Sequence, residues 1–265
     1  MKRYEYETLC VAEPAPGVAT LTLDRPDTLN AMNTRMLGEL LDFFAGMYVS
    51  SEEIRCLVLT GAGDRAFCAG GDLKERDGMS DDDWRRQHAL GEQAFKAVVD
   101  CPVPIIAAVN GVAYGGGCEL ALLADFGYAA GDARFALPEV TRGIIPGAMG
   151  TQMLPRACGV RRAKEIVLSG QPFSAQEALS WGIVNRVCDK NRLLSEAVAT
   201  ARHIAENAPI AVREAKKSLD MATQMDIRSG YAYELAAYNR LVPTEDRLEG
   251  VRAFNERRKP RFQGA

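Results

Sequence analysis

The chain contains little histidine, and its cysteines are not grouped in the pattern of a metal site. It has 265 residues but only two histidines, His88 and His203. Both lie in polar segments with a helical pattern, and we find no acidic or cysteine residue that would join them in a site. We therefore expect both to be solvated surface residues. The seven cysteines are scattered and form no CxxC pair. The sequence therefore predicts no metal site.

Long apolar runs, an excess of charge and a targeting segment are also missing. No stretch approaches the ~20 apolar residues that a membrane span needs. The first residues, Met1–Tyr6, resemble neither a signal peptide nor a transit peptide, and an odd cysteine count without a signal indicates a reducing cytoplasm. The 32 basic and 35 acidic residues give a net charge of −3, which provides no general field for nucleic acid. We expect a cytoplasmic protein without a membrane or nucleic-acid partner.

Strand and helix patterns alternate through the first part of the chain. Val18–Leu23 alternates with the period of a strand, and the almost wholly apolar Pro104–Val109 is typical of a strand buried on both faces. Apolar residues recur at helical spacing from Met36 to Ser51, after a possible cap at Asn33 or Thr34. Three further segments complete the pattern: strands at Ile54–Thr60 and Phe126–Ala130, and a helix at Gly116–Ala124. This order predicts an α/β fold with parallel strand pairing.

The last quarter of the chain differs in composition. From about Asn191 it is nearly all helical, with breaks at Pro209, Asp226–Gly230 and Pro243. Upstream, Ser174–Glu177 has the Ser-x-x-Glu form of a capping box. We therefore predict a core over residues 1–190 and a second, helical unit over residues 191–265. We find no sequence repeat and no low-complexity segment.

Three segments carry the chemistry. They are Ala-Phe-Cys-Ala-Gly-Gly-Asp at Ala66–Asp72, a stretch with three consecutive glycines at Val109–Leu120, and Phe135–Gly147. Glycines that open a helix expose unpaired backbone N–H groups and let a ligand approach closely. By itself a glycine triplet is as compatible with a tight strand-to-helix turn. Together, at their spacing, the three segments resemble the crotonase (enoyl-CoA hydratase/isomerase) superfamily over nearly the whole chain.

The resemblance implies a crotonase-type spiral of repeated ββα units with a C-terminal helical region for trimerisation. It also implies that the N–H groups of Gly71 and Gly116 form an oxyanion hole for the enolate of a coenzyme A thioester. Backbone donors suit this task because they need no proton transfer and no reorientation. The family often has alanine where this chain has Gly71, but only the backbone acts there.

The resemblance makes Glu119 and Glu139 the catalytic pair of a true hydratase. Glu119 matches the residue usually assigned to activating water, Glu139 the one assigned to protonating C2, and Gly147 the glycine whose N–H helps to hold the water. Two carboxyl groups in one site tend to differ in pKa and can supply an acid and a base at one pH. Without this context, Glu119 would be read as helix-dipole compensation and Glu139 as a solvated loop residue.

Coenzyme A contacts are implied residue by residue, and coenzyme A is part of the substrate, so no separate cofactor is expected. The match implies that Phe254 and Arg257 contact the ligand bound to a neighbouring subunit, which implies a trimer or a dimer of trimers. Lys74 could equally be an ordinary exposed lysine. The remaining matched positions are Leu29, Ala31, Ala69 and Leu73.

The favoured function is syn hydration of a 2-enoyl-CoA. Enoyl-CoA isomerisation and a specialised methylglutaconyl-, carnitinyl- or cyclic acyl-CoA activity remain open. Met149 stands where glycine is commoner and is a candidate for narrowing the acyl pocket, while Arg142 could form an ion pair or meet a polar acyl tail. RNA binding, known for one relative through a lysine-rich first helix, is disfavoured because Met36–Ser51 contains no lysine.

Overall fold

Two β-sheets form the framework of the protein. The computed structural model describes residues 5–50 and 53–265, so the expectation about the first four residues lies outside the described part. The described strands are β1 (Leu9–Ala15), β2 (Val18–Leu23), β3 (Cys56–Gly61), β4 (Ala66–Cys68), β5 (Ile105–Val109), β6 (Val112–Tyr114), β7 (Phe126–Ala130), β8 (Arg134–Ala136), β9 (Phe173–Ser174) and β10 (Arg186–Cys188). One sheet has the order β1-β2-β3-β5-β7-β10 and the other the order β4-β6-β8-β9.

Strand pairing is mostly parallel, as the sequence predicts. Only β1 with β2 and β8 with β9 pair antiparallel among the described strands. The apolar strand β5 lies between β3 and β7, and each of its residues is buried. The predicted burial of this strand on both faces is therefore confirmed.

Helices cover the sheets and make up the C-terminal part. The described helices are α1 (Thr34–Val49), α2 (Leu73–Arg76), α3 (Asp81–Val99), α4 (Gly116–Leu123), α5 (Gly150–Cys158), α6 (Val160–Ser169), α7 (Ala175–Ser180), α8 (Lys190–Ala205), α9 (Pro209–Met221), α10 (Ile227–Leu241) and α11 (Glu245–Asn255). Short 3₁₀ helices span Pro26–Thr28 and Glu139–Arg142. Within the described ranges, none of the helices has the length and apolar character needed to cross a membrane.

Local capping explains several helix starts. The Asn33 side chain accepts a hydrogen bond from the N–H of Met36 at 2.9 Å, so it is the cap of α1. This helix begins at Thr34 and ends at Val49, whereas the predicted end, Ser51, lies outside the described residues. The capping box is confirmed, because Ser174 and Glu177 each accept a hydrogen bond from the other's backbone N–H.

The helical C-terminal region differs from expectation at one break. Asp226 is the cap of α10 and accepts hydrogen bonds from the N–H groups of Arg228 and Ser229 at 3.0 and 3.1 Å. Residues 227–230 are therefore already helical, and the predicted break over Asp226–Gly230 is wrong beyond Asp226. Pro209 opens α9, where a missing N–H does no harm. The division at residue 190 stays a prediction.

The first helix of that region packs into the main core. Its buried face repeats every four residues and joins the hydrophobic cluster around the six-stranded sheet. This face consists of Leu193, Ala197, Ala201 and Ala205. Small side chains at this spacing let the helix approach the sheet closely.

The four-stranded sheet positions the three predicted motifs. Strands β4, β6 and β8 are parallel neighbours, so their carboxyl ends meet at one edge. Gly71 follows β4, Gly116 follows β6 and Glu139 follows β8. Parallel sheets characteristically bind ligands beyond the carboxyl ends of their strands.

Candidate active site

A cavity of about 650 Å³ opens beyond the carboxyl ends of β4, β6 and β8. Gly71, Gly116, Glu119, Glu139 and Gly147, which are the five predicted catalytic positions, all line it. The structure thus brings together residues that are 76 positions apart in sequence, from Gly71 to Gly147.

The two glycine turns lie against each other. A β-carbon placed on Gly116 would lie 3.9 Å from the α-carbon of Gly70, and one on Gly70 would lie 3.3 Å from the nitrogen of Gly116. Gly116 is the first residue of α4, where a backbone N–H has no partner within the helix. The bridge between Met32 and Gly71 uses the N–H groups of Met32 and Asp72 and does not use that of Gly71. Two backbone donors are therefore available on the same cavity wall.

The third glycine of the triplet has a packing role. A β-carbon on Gly117 would lie 2.0 Å from the carbonyl oxygen of Cys68, which is backbone and cannot move aside. Gly115 has a φ of 53°, a conformation that side chains rarely adopt. These two glycines let α4 start against β4, and this places Gly116 at the cavity.

Glu119 is buried and held by the start of another helix. Its side chain has 3% relative exposure, and Oε1 accepts hydrogen bonds from the N–H groups of Ala148 and Gly150, both at 2.8 Å. Burial raises the pKa of Glu119 to about 7; the two N–H groups oppose this rise and the charge of Glu139 adds to it. A carboxyl group with this pKa can exchange a proton near neutral pH.

Glu139 begins a 3₁₀ helix directly after Pro138 and does not lie in the irregular loop that the sequence predicts. It is buried, and its Oε2 has no hydrogen-bond partner among the described residues. Burial raises the pKa of Glu139, and the nearby charge of Arg142 acts against that rise. A buried polar atom without a partner on a cavity wall is available to a ligand or to water.

Met149 and Arg142, for which the sequence suggested a role at the acyl pocket, differ in whether they line the cavity. Met149 is not among the residues that line the cavity, so it does not narrow the pocket directly. It precedes α5 with a φ of 71°, which explains why glycine is favoured at this place. Arg142 does line the cavity, and its Nη1 donates to the Pro138 carbonyl at 3.2 Å and to Thr141 Oγ1 at 3.1 Å. It forms no ion pair within the part of the chain that the structure describes.

Helix α3 supplies one wall that the sequence did not reveal. The side chains on this wall are spaced three or four residues apart and so share one helical face. The face consists of Trp84, Gln87, His88, Gly91, Glu92 and Phe95.

His88 corrects one expectation. It lines the cavity, and its Nε2 lies 3.2 Å from Oε1 of Glu92, one helical turn away. A β-carbon on Gly147 would lie 2.9 Å from the imidazole. His88 therefore has an acidic companion and faces the candidate site. The four-residue spacing from His88 to Glu92 was the signal that could have indicated it.

Arg76 is a second cavity residue that sequence reasoning missed. It ends α2, and its guanidinium carbon lies 4.5 Å from the centre of the Trp84 ring. Its Nε donates to Oε1 of Gln87 at 2.7 Å. No local pattern distinguishes Arg76 from an exposed arginine, because its surroundings come from α3.

The predicted coenzyme A positions fall into two groups. Ala69 and Leu73 line the cavity, and the Ala69 N–H donates to the Leu29 carbonyl at 3.0 Å. Ala31 is buried in the same segment, which runs beside the first glycine turn. These four positions therefore lie along one side of the site.

The remaining three positions do not line this cavity. Lys74 is exposed on α2, immediately after Leu73. Phe254 is 83% exposed near the end of α11, and Arg257 follows that helix with a φ of 56°. The structure of one chain does not bring Phe254 and Arg257 to its own cavity, so their expected role across a subunit interface stays a prediction.

Comparison with known proteins gives one consistent result. The sequence model of the family described as enoyl-CoA hydratase/isomerase matches residues 13–265. The short-chain-enoyl-CoA hydratase of Clostridium acetobutylicum is 39% identical over 249 residues, which cover 94% of this chain and 95% of that protein. The crotonyl-CoA hydratase of Syntrophomonas wolfei is 37% identical over 257 residues, which cover 97% and 98%.

Solved structures agree with the sequence relatives. A crystal structure of an enoyl-CoA hydratase from Bacillus anthracis superposes with a TM-score of 0.95 and 42% sequence identity, covering 98% of this chain and 100% of that chain. The predicted crotonase-type α/β fold is therefore confirmed.

Proposed function

This chain belongs to the enoyl-CoA hydratase/isomerase family, and we propose that it acts as a 2-enoyl-CoA hydratase. The reaction is the reversible syn addition of water across the 2,3 double bond of the thioester. The observation that carries this proposal is the pair of buried carboxyl groups, Glu119 and Glu139, on the wall of one cavity. Burial raises the pKa of both groups, and the pKa of about 7 for Glu119 suits proton transfer near neutral pH.

In this mechanism the thioester oxygen lies between the N–H groups of Gly71 and Gly116. These donors belong to two glycine turns that lie against each other. Backbone N–H groups already directed at the oxygen need no reorganisation as charge develops on it. Adding the oxygen of water to C3 pushes the π electrons through C2 onto the thioester oxygen. The oxyanion hole stabilises the enolate that results.

Each of the two carboxyl groups transfers one proton. One group removes a proton from the attacking water, and the other adds a proton to C2. Ionised Glu119 accepts a proton from the attacking water, which the Gly147 N–H helps to hold. Protonated Glu139 delivers a proton to C2 as the enolate collapses. The two groups exchange roles in the dehydration direction, so the same geometry serves both directions.

The substrate's coenzyme A moiety would run along Leu29, Ala31, Ala69 and Leu73. This placement is supported by the position of the Leu29 segment beside the first glycine turn. Lys74 is exposed and can meet a phosphate. Phe254 and Arg257 would contact the ligand of a neighbouring subunit in a trimer or a dimer of trimers. We further propose a cytoplasmic location, because all seven cysteines are free thiols in the structure.

Enoyl-CoA isomerisation is the nearest alternative, because an isomerase shuttles one proton and needs only one carboxyl group. The two reactions are separated by following the loss of enoyl thioester absorbance with crotonyl-CoA beside the conversion of a 3-enoyl-CoA to its 2-enoyl isomer. Rapid hydration of crotonyl-CoA is expected. A protein that isomerises but does not hydrate would overturn the proposal.

A further inference from the structure

His88 and Glu92 form a pair on the α3 wall of the cavity. Nε2 of His88 lies 3.2 Å from Oε1 of Glu92, one helical turn further along the chain. A carboxylate at this distance favours the imidazole tautomer that carries its proton on Nε2. The other ring nitrogen, Nδ1, is then a hydrogen-bond acceptor, and it has no partner among residues 5–50 and 53–265. His88 therefore has one ring nitrogen available to accept a proton.

The imidazole lies against the loop that holds Glu119. A β-carbon on Gly147 would lie 2.9 Å from Cε1 of His88 and 3.9 Å from Nδ1. The next residue, Ala148, donates its N–H to Oε1 of Glu119 at 2.8 Å. One short loop is thus in contact with both the histidine and the buried carboxyl group, and Gly147 in this loop is the glycine proposed to hold the attacking water.

The two carboxyl groups end one hydration in the wrong protonation states for the next. In the proposed mechanism Glu119 has gained a proton from water, and Glu139 has given its proton to C2. A proton must therefore pass from Glu119 to Glu139 before another turnover. Glu119 is only 3% exposed and Glu139 only 9%, so direct exchange of protons with bulk water is restricted for both.

Each carboxyl group has an oxygen available for this transfer. The hydrogen bonds that hold Glu119 use Oε1 and leave Oε2 without a partner in the described part of the chain. Oε2 of Glu139 has no partner there either. Both groups line the cavity together with His88, whose side chain is 45% exposed and so is also in reach of solvent. Histidine is the side chain that most readily gains and loses a proton near neutral pH.

The other titratable or charged side chains of the cavity wall do not engage this histidine. They are Arg76 on α2, Tyr114 on β6 and Arg142 on the second 3₁₀ helix. Arg76 donates through Nε to Oε1 of Gln87 at 2.7 Å, and Arg142 donates to the Pro138 carbonyl at 3.2 Å. Over the described ranges, Glu92 is the charged partner of His88.

We propose that His88, oriented by Glu92, is a proton relay that returns the two carboxyl groups to their starting states after each turnover. This inference rests on the proposed hydratase function and adds a residue to its mechanism. Neutral Glu119 gives its proton to Nδ1 through water in the cavity, and the imidazolium that forms passes a proton on to ionised Glu139. The transfer takes up and releases no net proton, and it makes and breaks only bonds to hydrogen.

The relay predicts that kcat and kcat/KM respond differently to its removal. His88→Ala should lower kcat for crotonyl-CoA hydration by at least about 10-fold, which is less than the loss of about 10²-fold expected for a direct acid–base group. The value of kcat/KM should stay within a few fold, because the relay acts after the product has left. Rapid mixing should therefore show a fast first turnover and a slower steady rate. A displaced Gly147 loop would instead disturb Glu119 and lower kcat/KM.

Free imidazole provides a second measurement. His88→Ala leaves space beside the Gly147 loop, so added imidazole should raise its kcat toward the wild-type value with increasing concentration. Glu92→Gln keeps the histidine without the carboxylate that orients it, and its loss of kcat should be smaller. The matched control is His203→Ala, which removes the other histidine of the chain from the exposed surface of α8 and should keep wild-type kinetics.

Three results would contradict the relay. They are an unchanged kcat in His88→Ala, a loss of equal size in kcat/KM, and a loss of kcat that imidazole does not restore. A wild type that fails to hydrate crotonyl-CoA would instead overturn the hydratase proposal itself. The kcat/KM of each variant also reports whether its active site is folded.

Discussion

Arg25 holds Asp72 in place across 47 residues of sequence, with its Nη1 2.9 Å from Oδ2. The same nitrogen donates to the Ala31 carbonyl at 2.5 Å, and Asp72 caps α2 by accepting from the N–H groups of Lys74 and Glu75. The arginine therefore ties the Leu29–Met32 segment to the turn that contains Gly71. Arg25 is a positioning residue for one half of the proposed oxyanion hole.

We expect Arg25→Met to lower the free energy of unfolding by about 1–3 kcal/mol, because it leaves a mostly buried carboxylate without its charged partner. Turnover of crotonyl-CoA should fall as well, since the turn before α2 loses its tether. Urea titration and steady-state kinetics measure the two effects. Lys190→Met, which removes a more exposed ion pair with Asp132, should change stability by less than about 1 kcal/mol.

The effect of Arg25→Met should depend on pH. Burial alone would raise the pKa of Asp72, but the hydrogen bonds and charge of Arg25 and the two N–H groups lower it below 3.8. A lowered pKa means that ionised Asp72 stabilises the fold above its unfolded pKa and that this contribution is lost as pH falls through the folded value. The stability gap between wild type and variant should therefore narrow in acid. A gap that is constant with pH would mean that Arg25 acts through packing.

Replacing either of the two proposed catalytic carboxyl groups should nearly stop the proposed hydration. Glutamine keeps the size of glutamate but cannot ionise, so Glu119→Gln and Glu139→Gln should each lower crotonyl-CoA hydration by at least about 10²-fold. Because the two groups act as a unit, the double variant should be little worse than the more damaged single one. Near-normal hydration in either single variant would contradict the two-carboxylate mechanism.

Glu119 should leave a signature in the pH profile. As the proposed base, with a pKa of about 7, it should make kcat/KM for hydration rise as pH increases through that value. This dependence should be absent from the residual activity of Glu119→Gln. A wild-type profile that is flat between about pH 6 and about pH 8 would assign the water-activating step to another group.

The raised pKa of Glu119 also predicts that the stability of the wild type falls as pH rises, whereas its activity rises. The folded pKa is raised from 4.5 to about 7, so neutral Glu119 favours the fold below 4.5 and this advantage is lost as pH rises through about 7. Glu119→Gln should therefore gain stability relative to wild type over that window, by about 3 kcal/mol for the full shift at about 1.4 kcal/mol per pKa unit. Urea midpoints measured along the pH range test the sign of this change.

The glycine triplet allows a test of the oxyanion hole. Gly116→Pro removes an N–H at the first position of α4, where proline is tolerated in helices, and should lower turnover by about 10²–10³-fold. Gly116→Ala keeps the donor. Its new β-carbon would be too close to the flexible end of Met32, at 2.8 Å, and at ordinary contact distance from Phe95 and Gly70, so activity should remain close to wild type. Unchanged turnover in folded Gly116→Pro would place the thioester oxygen elsewhere.

A stability comparison distinguishes Gly116, the proposed N–H donor, from Gly117, which is needed for close packing of α4 on β4. Gly117→Ala should destabilise the protein far more than Gly116→Ala, because its β-carbon would lie 2.0 Å from the Cys68 carbonyl oxygen. Thermal melting of the two variants measures this difference. Equal melting temperatures would show that α4 can shift away from β4.

Assembly into a trimer or hexamer is the last expectation. Phe254 is 83% exposed, and apolar side chains of α10 such as Ile227 and Tyr238 are 87% and 65% exposed, which is unfavourable in a monomer. Light scattering should give three or six copies, and Phe254→Asp should weaken both the assembly and the binding of coenzyme A thioesters. A fully active monomer would contradict the expected contribution of Phe254 and Arg257 to a neighbouring site.

The sequence by itself determined the elements that depend on short-range physics. Periodicity located Val18–Leu23 and Phe126–Ala130 at their observed bounds, and the capping box at Ser174 is made by residues within one helical turn. The resemblance added the motif residues that line the cavity. These features could be predicted because local backbone hydrogen bonds and the alternation of buried side chains depend on residues that are close in sequence.

Only the tertiary structure decided what surrounds those motifs. Glu119 is held by N–H groups 29 and 31 residues away, and Asp72 by an arginine 47 residues away. The sequence predicts His88 as a surface residue and does not single out Arg76, but α2 and α3 place both side chains on the cavity wall. Burial and the electrostatic field at a group are sums over neighbours from distant segments, so the pKa of Glu119 arises only once the chain has folded.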